Sequence, residues 1–256
     1  MLFTWWRNRR RKKILAVPIP DHWKTILDQN VSQLSQLTAQ QRALLYQRVQ
    51  IFVKEKYWEG CNGFQITEEV KLTIAGQACL LTLGFASDCF DRLKTILVYP
   101  DTYVAKESLL NSIGVLTEGT SFRLGESWGQ GPIVLSWESI YEGGQTPDDG
   151  RNVVVHEFAH YYDAVDRQFD GTPPLNSAEE YERWNRVMTA EYQSLVAQLQ
   201  HGHTTFIDPY GATNPAEFFA VCSEHFFEQP RQMREYSEDL YETLKLFYQQ
   251  DPASAV

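Results

Sequence analysis

Two histidines four residues apart, with a glutamate directly after the first, stand in Val153-Val-Val-His156-Glu157-Phe158-Ala159-His160. On a helix, residues at that spacing share one face, so both imidazoles can grip one ion while Glu157 stands beside it. Zinc suits such donors, taking a tetrahedral set that in catalytic sites keeps one position for water. The ion acidifies that water, and Glu157 can take its proton so that the oxygen attacks a polarised carbonyl. With six His and twenty Glu in 256 residues, a shuffled chain would contain this pattern roughly once in a hundred. The apolar neighbours Val153 to Val155, Phe158 and Ala159 sharpen the signal, because imidazoles on a buried helix need partners. The bland alternative is a pair of core histidines bonded to nearby carbonyls. The spacing favours the metal.

Two imidazoles are too few, and the third ligand must come from elsewhere. A metzincin extension would place glycine at 163 and histidine at 166, where this chain has Asp163 and Asp166, so that class is excluded. Asp163 falls on the same helix face as His160. It reads as a ligand, as an acceptor orienting an imidazole, or as an ordinary surface acid. Further on comes Asp208-Pro-Tyr210-Gly-Ala-Thr-Asn214-Pro-Ala-Glu217-Phe-Phe-Ala-Val221. Asn214 followed by Pro215 marks a helix start, with Glu217 at the third helical position. Spacing leaves two roles level for Glu217: a capping box with Asn214, or a metal ligand at the mouth of a helix entering the core. Glu224 is the fallback ligand, with Glu228 beyond it. His225, beside Phe226 and Phe227, reads as a packed or rim histidine. Tyr210 on its own is a loop aromatic next to Pro209.

The elements that must hold these groups are mostly helical. Residues 21–30 predict a first helix, and Thr38 caps a second with an apolar face of Leu44, Leu45, Val49, Ile51, Phe52 and Val53. Thr67-Glu68-Glu69 opens a third, running to Gly84. Thr95–Tyr99 is a short strand stopped by Pro100. Ser121–Leu124 and Pro132–Trp137 flank the glycine-containing stretch 125–131, which predicts an antiparallel pair. A loop covers Gly143 to Gly150. Helices follow over roughly 151–165, 178–200, 215–228 and 237–250, giving an α+β class that is predominantly helical with a small antiparallel sheet. Residues 21–256 are expected to form a single catalytic domain. The strand 133–137 offers either an edge for an extended peptide or a fully paired core strand.

Charge is uneven. The formal net charge is −10, yet Arg7, Arg9, Arg10, Arg11, Lys12 and Lys13 fall in an acid-free stretch, residues 1–20. The acidic remainder would repel phosphates, which makes it a poor nucleic-acid binder. The basic segment, ending at the hinge Pro18-Ile-Pro20, is expected to be a flexible, solvated tail. A tryptophan-plus-arginine anchor for anionic lipid or an acidic partner is the alternative, with nucleic-acid contact a third. The apolar start Met1–Trp6 is too short to span a bilayer, and its charges follow it instead of preceding it as in a secretory signal. No transmembrane segment is visible. Cys61, Cys79, Cys89 and Cys222 form no C-x-x-C pair and are expected to be reduced, in a cytoplasmic protein.

These residues together resemble the Mlc titration factor A family (MtfA) of bacterial zinc peptidases over nearly the whole chain after the first twenty residues. The similarity rests on 127–135, His156-Glu-Phe-Ala-His160, Tyr210 with Asn214-Pro-Ala-Glu-Phe-Phe-Ala-Val221, Ser223-Glu-His-Phe-Phe227 and 247–252. It implies a zincin-like fold holding one zinc, with Glu217 as third ligand, and places the protein in the cytoplasm. It also implies aminopeptidase-like action on peptides and binding of an Mlc-type transcriptional repressor. The family is similar in its active core to the catalytic domain of anthrax lethal factor. There a tyrosine seven residues before the ligand glutamate assists the reaction, which implies that role for Tyr210. Val221 stands where thermolysin-like enzymes carry an acid, so support for the ligands must come from elsewhere. The competing function is a non-catalytic repressor-binding protein with a structural or vestigial metal.

Overall fold

The computed structural model describes residues 2–86, 90–101, 131–145 and 149–254. The basic segment expected as a flexible tail carries helix α1 (Leu2–Leu15). Long-range charge holds it: Arg11 reaches Glu55 at 2.7 Å and also pairs with Asp91, and Arg7 meets Asp91 at 2.8 Å. Beyond Pro20, α2 (Asp21–Asn30) leads through a 3-10 turn into α3 (Ala39–Glu55). Thr38 and Gln41 form a full capping box at the start of α3. Thr67 caps α4 (Glu68–Leu80), which ends short of the expected Gly84 in a run of turns. Helix α4 is buried from Leu72 onward, and Gly76 lets it press against α2, since a Cβ there would stand 2.7 Å from side-chain atoms of Leu27 and Val31.

The sheet corrects the expectation of an antiparallel pair. Strands β1 (Tyr57–Gly60), β2 (Thr95–Tyr99) and β3 (Ile133–Ser136) lie in the order β1-β2-β3, and both pairings are parallel. Tyr57 pairs with Thr95, and Ile96 with Ile133. The reason lies in the connections. The long segments 61–94 and 100–132 separate the strands, and long crossovers join parallel strands where tight turns join antiparallel ones. The proposed partner strand 121–124 lies outside the described residues, as do the stretch 127–130 and Cys89. β1 was not legible because it is only four residues long and half-exposed. β3 is buried along its whole length.

Two more differences concern helices. Helix α5 (Trp137–Gln145) continues through Gly143 and Gly144, where a loop was expected. Helix α6 (Val153–Asp163) is followed by α7 (Ala178–Gln200) and α8 (Pro215–Glu228). An additional helix, α9 (Pro230–Tyr236), opens with proline at its first position. It precedes α10 (Glu238–Tyr248). The core gathers around α6. Phe158 packs against Phe90 at 4.6 Å and Phe52 at 5.8 Å between ring centroids, and Tyr162 meets Phe247 at 5.8 Å. Cys61, Cys79 and Cys222 are free thiols. No helix among the described residues is long and apolar enough to cross a membrane.

Lys56, at the end of α3, places its ammonium in this core. Its Nζ donates to the carbonyls of Phe90 at 2.6 Å and Leu93 at 3.1 Å. Burial lowers its pKa to about 8, with Glu55 and Asp91 working the other way. The unfolded lysine titrates at about 10.4. Between these values the unfolded chain binds more protons, so stability rises with pH across the window. Urea unfolding at about pH 8 and about pH 10 should show wild type gaining roughly 2–3 kcal/mol relative to Lys56→Met. Parallel pH slopes for the two proteins would contradict a buried ammonium at this position.

Candidate metal centre

Helix α6 begins at Asn152, whose side-chain oxygen accepts the Val155 N–H at 3.0 Å. It runs without Gly or Pro to Asp163, burying Val154, Val155, Phe158, Ala159, Tyr161 and Tyr162. The strip left half-buried carries His156, Glu157 and His160. Helix α8 packs against α6 and is buried from Ala216 to Glu228. Asn214 caps it by accepting the Glu217 N–H at 3.0 Å. The Glu217 carboxylate is turned to the imidazoles: its Oε2 lies 3.0 Å from His156 Nε2 and 3.3 Å from His160 Nε2. The two Nε2 atoms are 3.2 Å apart.

These distances fit a metal. Three ligands at ~2.0–2.1 Å from one tetrahedral zinc would stand roughly 3.3–3.4 Å from each other. Chemistry points the same way. Glu224 Oε1 lies 2.7 Å from His156 Nδ1, and a carboxylate only accepts, so Nδ1 carries the proton. In the neutral imidazole, Nε2 then presents a lone pair towards Glu217 and His160. Acceptor atoms this close repel unless positive charge lies among them. With protein groups alone a proton must serve. Burial disfavours a charged His156, yet its hydrogen bonds to Glu217 and Glu224 hold its pKa above the usual imidazole range. Burial would likewise raise Glu217, but the two imidazoles hold it low. A divalent cation supplies that positive charge more strongly. His156, His160 and Glu217 form a group that could hold one.

Glu157 differs from these neighbours. Among the described residues, no hydrogen bond or ion pair takes up its carboxylate. Burial pushes its pKa up; His156 and His160 pull it down, and Glu217 and Glu224 push it further up. Asp163 proves to be a loop anchor. Its carboxylate accepts N–H groups from Gly171 and Thr172 at 3.0 Å each. Burial raises its pKa to about 6 against the pull of those amides. Gly171 has a φ of +80°, and a Cβ there would fall 2.3 Å from the Pro215 carbonyl oxygen. Asp163 thereby ties the end of the histidine helix to the start of the glutamate helix.

Tyr210 sits in a 3-10 turn (Pro209–Ala212), with its ring centroid 5.9 Å from that of His156 and 54% of its surface exposed. Partial burial and the carboxylates of Glu217, Glu157 and Glu224 push its phenol up to about 12, so it is a proton donor at neutral pH. Asp208 fixes the turn by accepting the Tyr210 N–H at 2.9 Å, and Arg151 grips Asp208 at 2.7 Å. His225 is a packed histidine: it lies against Phe206, and its Nε2 is 3.3 Å from the Asp208 amide nitrogen.

The sequence did not reveal the support behind His156. Glu224, the fallback ligand, instead bonds Nδ1 and also accepts the Asn152 N–H. Glu228 accepts from Asn152 Nδ2 at 2.8 Å and Gln33 Nε2 at 2.6 Å. The one available signal was the spacing of Glu217, Glu224 and Glu228, seven and four residues apart on one side of a helix.

Two packed helices that deliver two imidazoles and a carboxylate to one point, with a glutamate alongside, have the arrangement of a metal-dependent hydrolase. A family profile described as glucose-regulated metallo-peptidase M90 matches residues 3–249, and the chain belongs to that family of metallopeptidases. It is 41% identical to an uncharacterized protein of Synechocystis sp. over 96% of this chain and 90% of that one. It is 29% identical to the Mlc titration factor A of an Escherichia coli O7:K1 strain, over 96% of this chain and 91% of the relative. The protein of that name from Pectobacterium atrosepticum is 28% identical over 91% and 87%.

Replacing Glu224 by Gln leaves one carbonyl oxygen for two donors, His156 Nδ1 and the Asn152 amide. Metal affinity, measured by competition with a chromogenic chelator, should fall about tenfold to a hundredfold. Unchanged affinity in Glu224→Gln would show that this carboxylate does not orient His156.

Proposed function

We propose that this protein hydrolyses peptide bonds with one zinc held by His156, His160 and Glu217, with Glu157 as general base and Tyr210 as a hydrogen-bond donor. The observation that carries this is the convergence of three acceptor atoms at 3.0–3.3 Å beside a carboxylate that no described partner engages. A structural metal site has no use for such a base.

When bound, zinc supplies Lewis acidity, lowering the pKa of a water and polarising the scissile carbonyl. The chain's own groups do the rest. Glu157, raised by burial, takes the water's proton and later delivers it to the leaving amine. The phenol of Tyr210, protonated at neutral pH, donates to the oxyanion that develops on the carbonyl oxygen. Glu224 keeps His156 in the tautomer that presents Nε2. Asn214 caps α8 so that the Glu217 carboxylate stays directed at the imidazoles.

The finer reading is an aminopeptidase-like, cytoplasmic enzyme that also binds an Mlc-type repressor. The name Mlc titration factor A, carried by relatives that align over nearly the whole chain, supports the repressor partner. The competing reading is a repressor-binding protein whose metal is only structural. Hydrolysis of amino-acid anilides separates the two. Glu157→Gln should keep one zinc per chain and lose activity by about 10²–10⁴-fold, and a chelator should abolish activity in wild type. Tyr210→Phe should lower kcat by about 10²-fold with little change in KM. Full activity in the metal-loaded Glu157→Gln protein would refute the mechanism, and inactivity of the zinc-loaded wild type towards peptides would favour the binding protein.

A further inference from the structure

We propose that the outward face of α1 docks this protein on an anionic lipid surface. At about 100° per residue, Trp5, Trp6, Arg9, Arg10, Lys12 and Lys13 fall within a sector of roughly 160°. Arg7, Arg11 and Ile14 fall on the opposite side, and that side faces the protein. Arg11 and Arg7 are held there by Glu55 and Asp91, and Arg10 at the edge of the displayed sector donates to the Lys54 carbonyl at 3.2 Å, so α1 is clamped from one side and displays its remaining cations.

The displayed face combines two features that lipid headgroups recognise. Trp5 and Trp6 are 53% and 62% exposed, adjacent, and in edge-to-face contact at 5.2 Å. Indoles with an apolar body and a polar N–H settle at the boundary between headgroup and acyl chain. Arg9, Arg10, Lys12 and Lys13 are exposed, and among the described residues none of them is ion-paired. The Arg9 guanidinium sits 5.3 Å from the Trp5 ring, so charge and indole occupy the same patch. Long cationic side chains flanking an apolar contact are the pattern of an interfacial helix lying in the membrane plane.

The rest of the molecule sets the orientation. Outside residues 7–13 only 17 Lys and Arg remain against 33 acidic side chains. That surplus is repelled by an anionic surface, so approach through α1 is favoured over approach through the acidic body. A helix about 10–12 Å across holds the acidic body beyond a Debye length of ~8 Å at physiological salt, where its repulsion is largely screened. An acidic protein or a nucleic acid would engage the cations as well, but indoles set beside long cationic side chains along one helix face are the pattern of an interfacial helix. Lipid accounts for both.

The test is flotation of the full chain with vesicles. It should float with vesicles of equal parts phosphatidylcholine and phosphatidylglycerol, and not with phosphatidylcholine alone. Binding should weaken steeply as salt rises from about 0.05 M to about 0.5 M. Trp5→Ser with Trp6→Ser should reduce partitioning by about tenfold or more, and neutralising Arg9, Arg10, Lys12 and Lys13 to Gln by at least about a hundredfold. All six side chains are exposed and Arg7 and Arg11 stay in place; only the Arg10 hydrogen bond to the Lys54 carbonyl is lost, so thermal melting should shift little. Absence of flotation with the anionic vesicles at low salt overturns the proposal, as does flotation indifferent to both sets of substitutions. Tighter binding to poly-glutamate or single-stranded DNA than to vesicles, unaffected by loss of the indoles, overturns it too and assigns the face to those partners.

Discussion

Three electron-rich atoms, two imidazole nitrogens and a carboxylate oxygen, are packed within hydrogen-bonding distance of one another in a largely buried site. With neither a proton nor a cation among them they repel, and at low local dielectric that repulsion is expensive. One positive charge among them, a proton or a cation, relieves it. Much of what surrounds the site is legible as a means of holding the three atoms in place until a cation arrives.

Each restraint acts on a different degree of freedom. Asn152 and Asn214 cap the two ligand helices and fix where each begins. Glu224 sets the ring of His156 by binding its far nitrogen, while Glu228 and Gln33 hold Asn152 behind it. The distance between the helices is fixed by Asp163 and Gly171. A glycine at φ +80° brings its amide to Asp163 and its backbone against Pro215, and its carbonyl accepts the Trp184 indole N–H at 3.0 Å. The network is built from carboxylates and asparagine amide oxygens that accept backbone or side-chain N–H groups. This suits a metal site whose first ligands must stay deprotonated.

What the sequence disclosed follows the range of the forces involved. His156, Glu157 and His160 declare themselves because a four-residue spacing is a local property of one helix. Helices α3, α4 and α8 were legible from start signals, which are also local, and the ranges read for α2 and α7 match the structure. Glu217 was not decided by spacing, because a capping glutamate and a ligand glutamate occupy the same third helical position; family resemblance favoured the ligand, and the structure brings its carboxylate to the imidazoles. Glu224 and Asp163 changed roles for a related reason, since each depends on what another segment places opposite it. The parallel sheet escaped because strand direction is set by long crossovers, and β1 is too short to signal itself. Helix α1 reads as a tail in isolation, and only Glu55 and Asp91, far along the chain, give its arginines a place to bind.

The central claim is that one cation is shared by His156, His160 and Glu217. X-ray absorption at the zinc edge on the full chain loaded with one equivalent of zinc tests it most directly. The expected result is a single site with two imidazole nitrogens and a carboxylate oxygen at about 2.0–2.2 Å, losing the oxygen contribution or the metal in Glu217→Ala. An identical coordination shell in Glu217→Ala, or a shell without imidazole, would contradict the account.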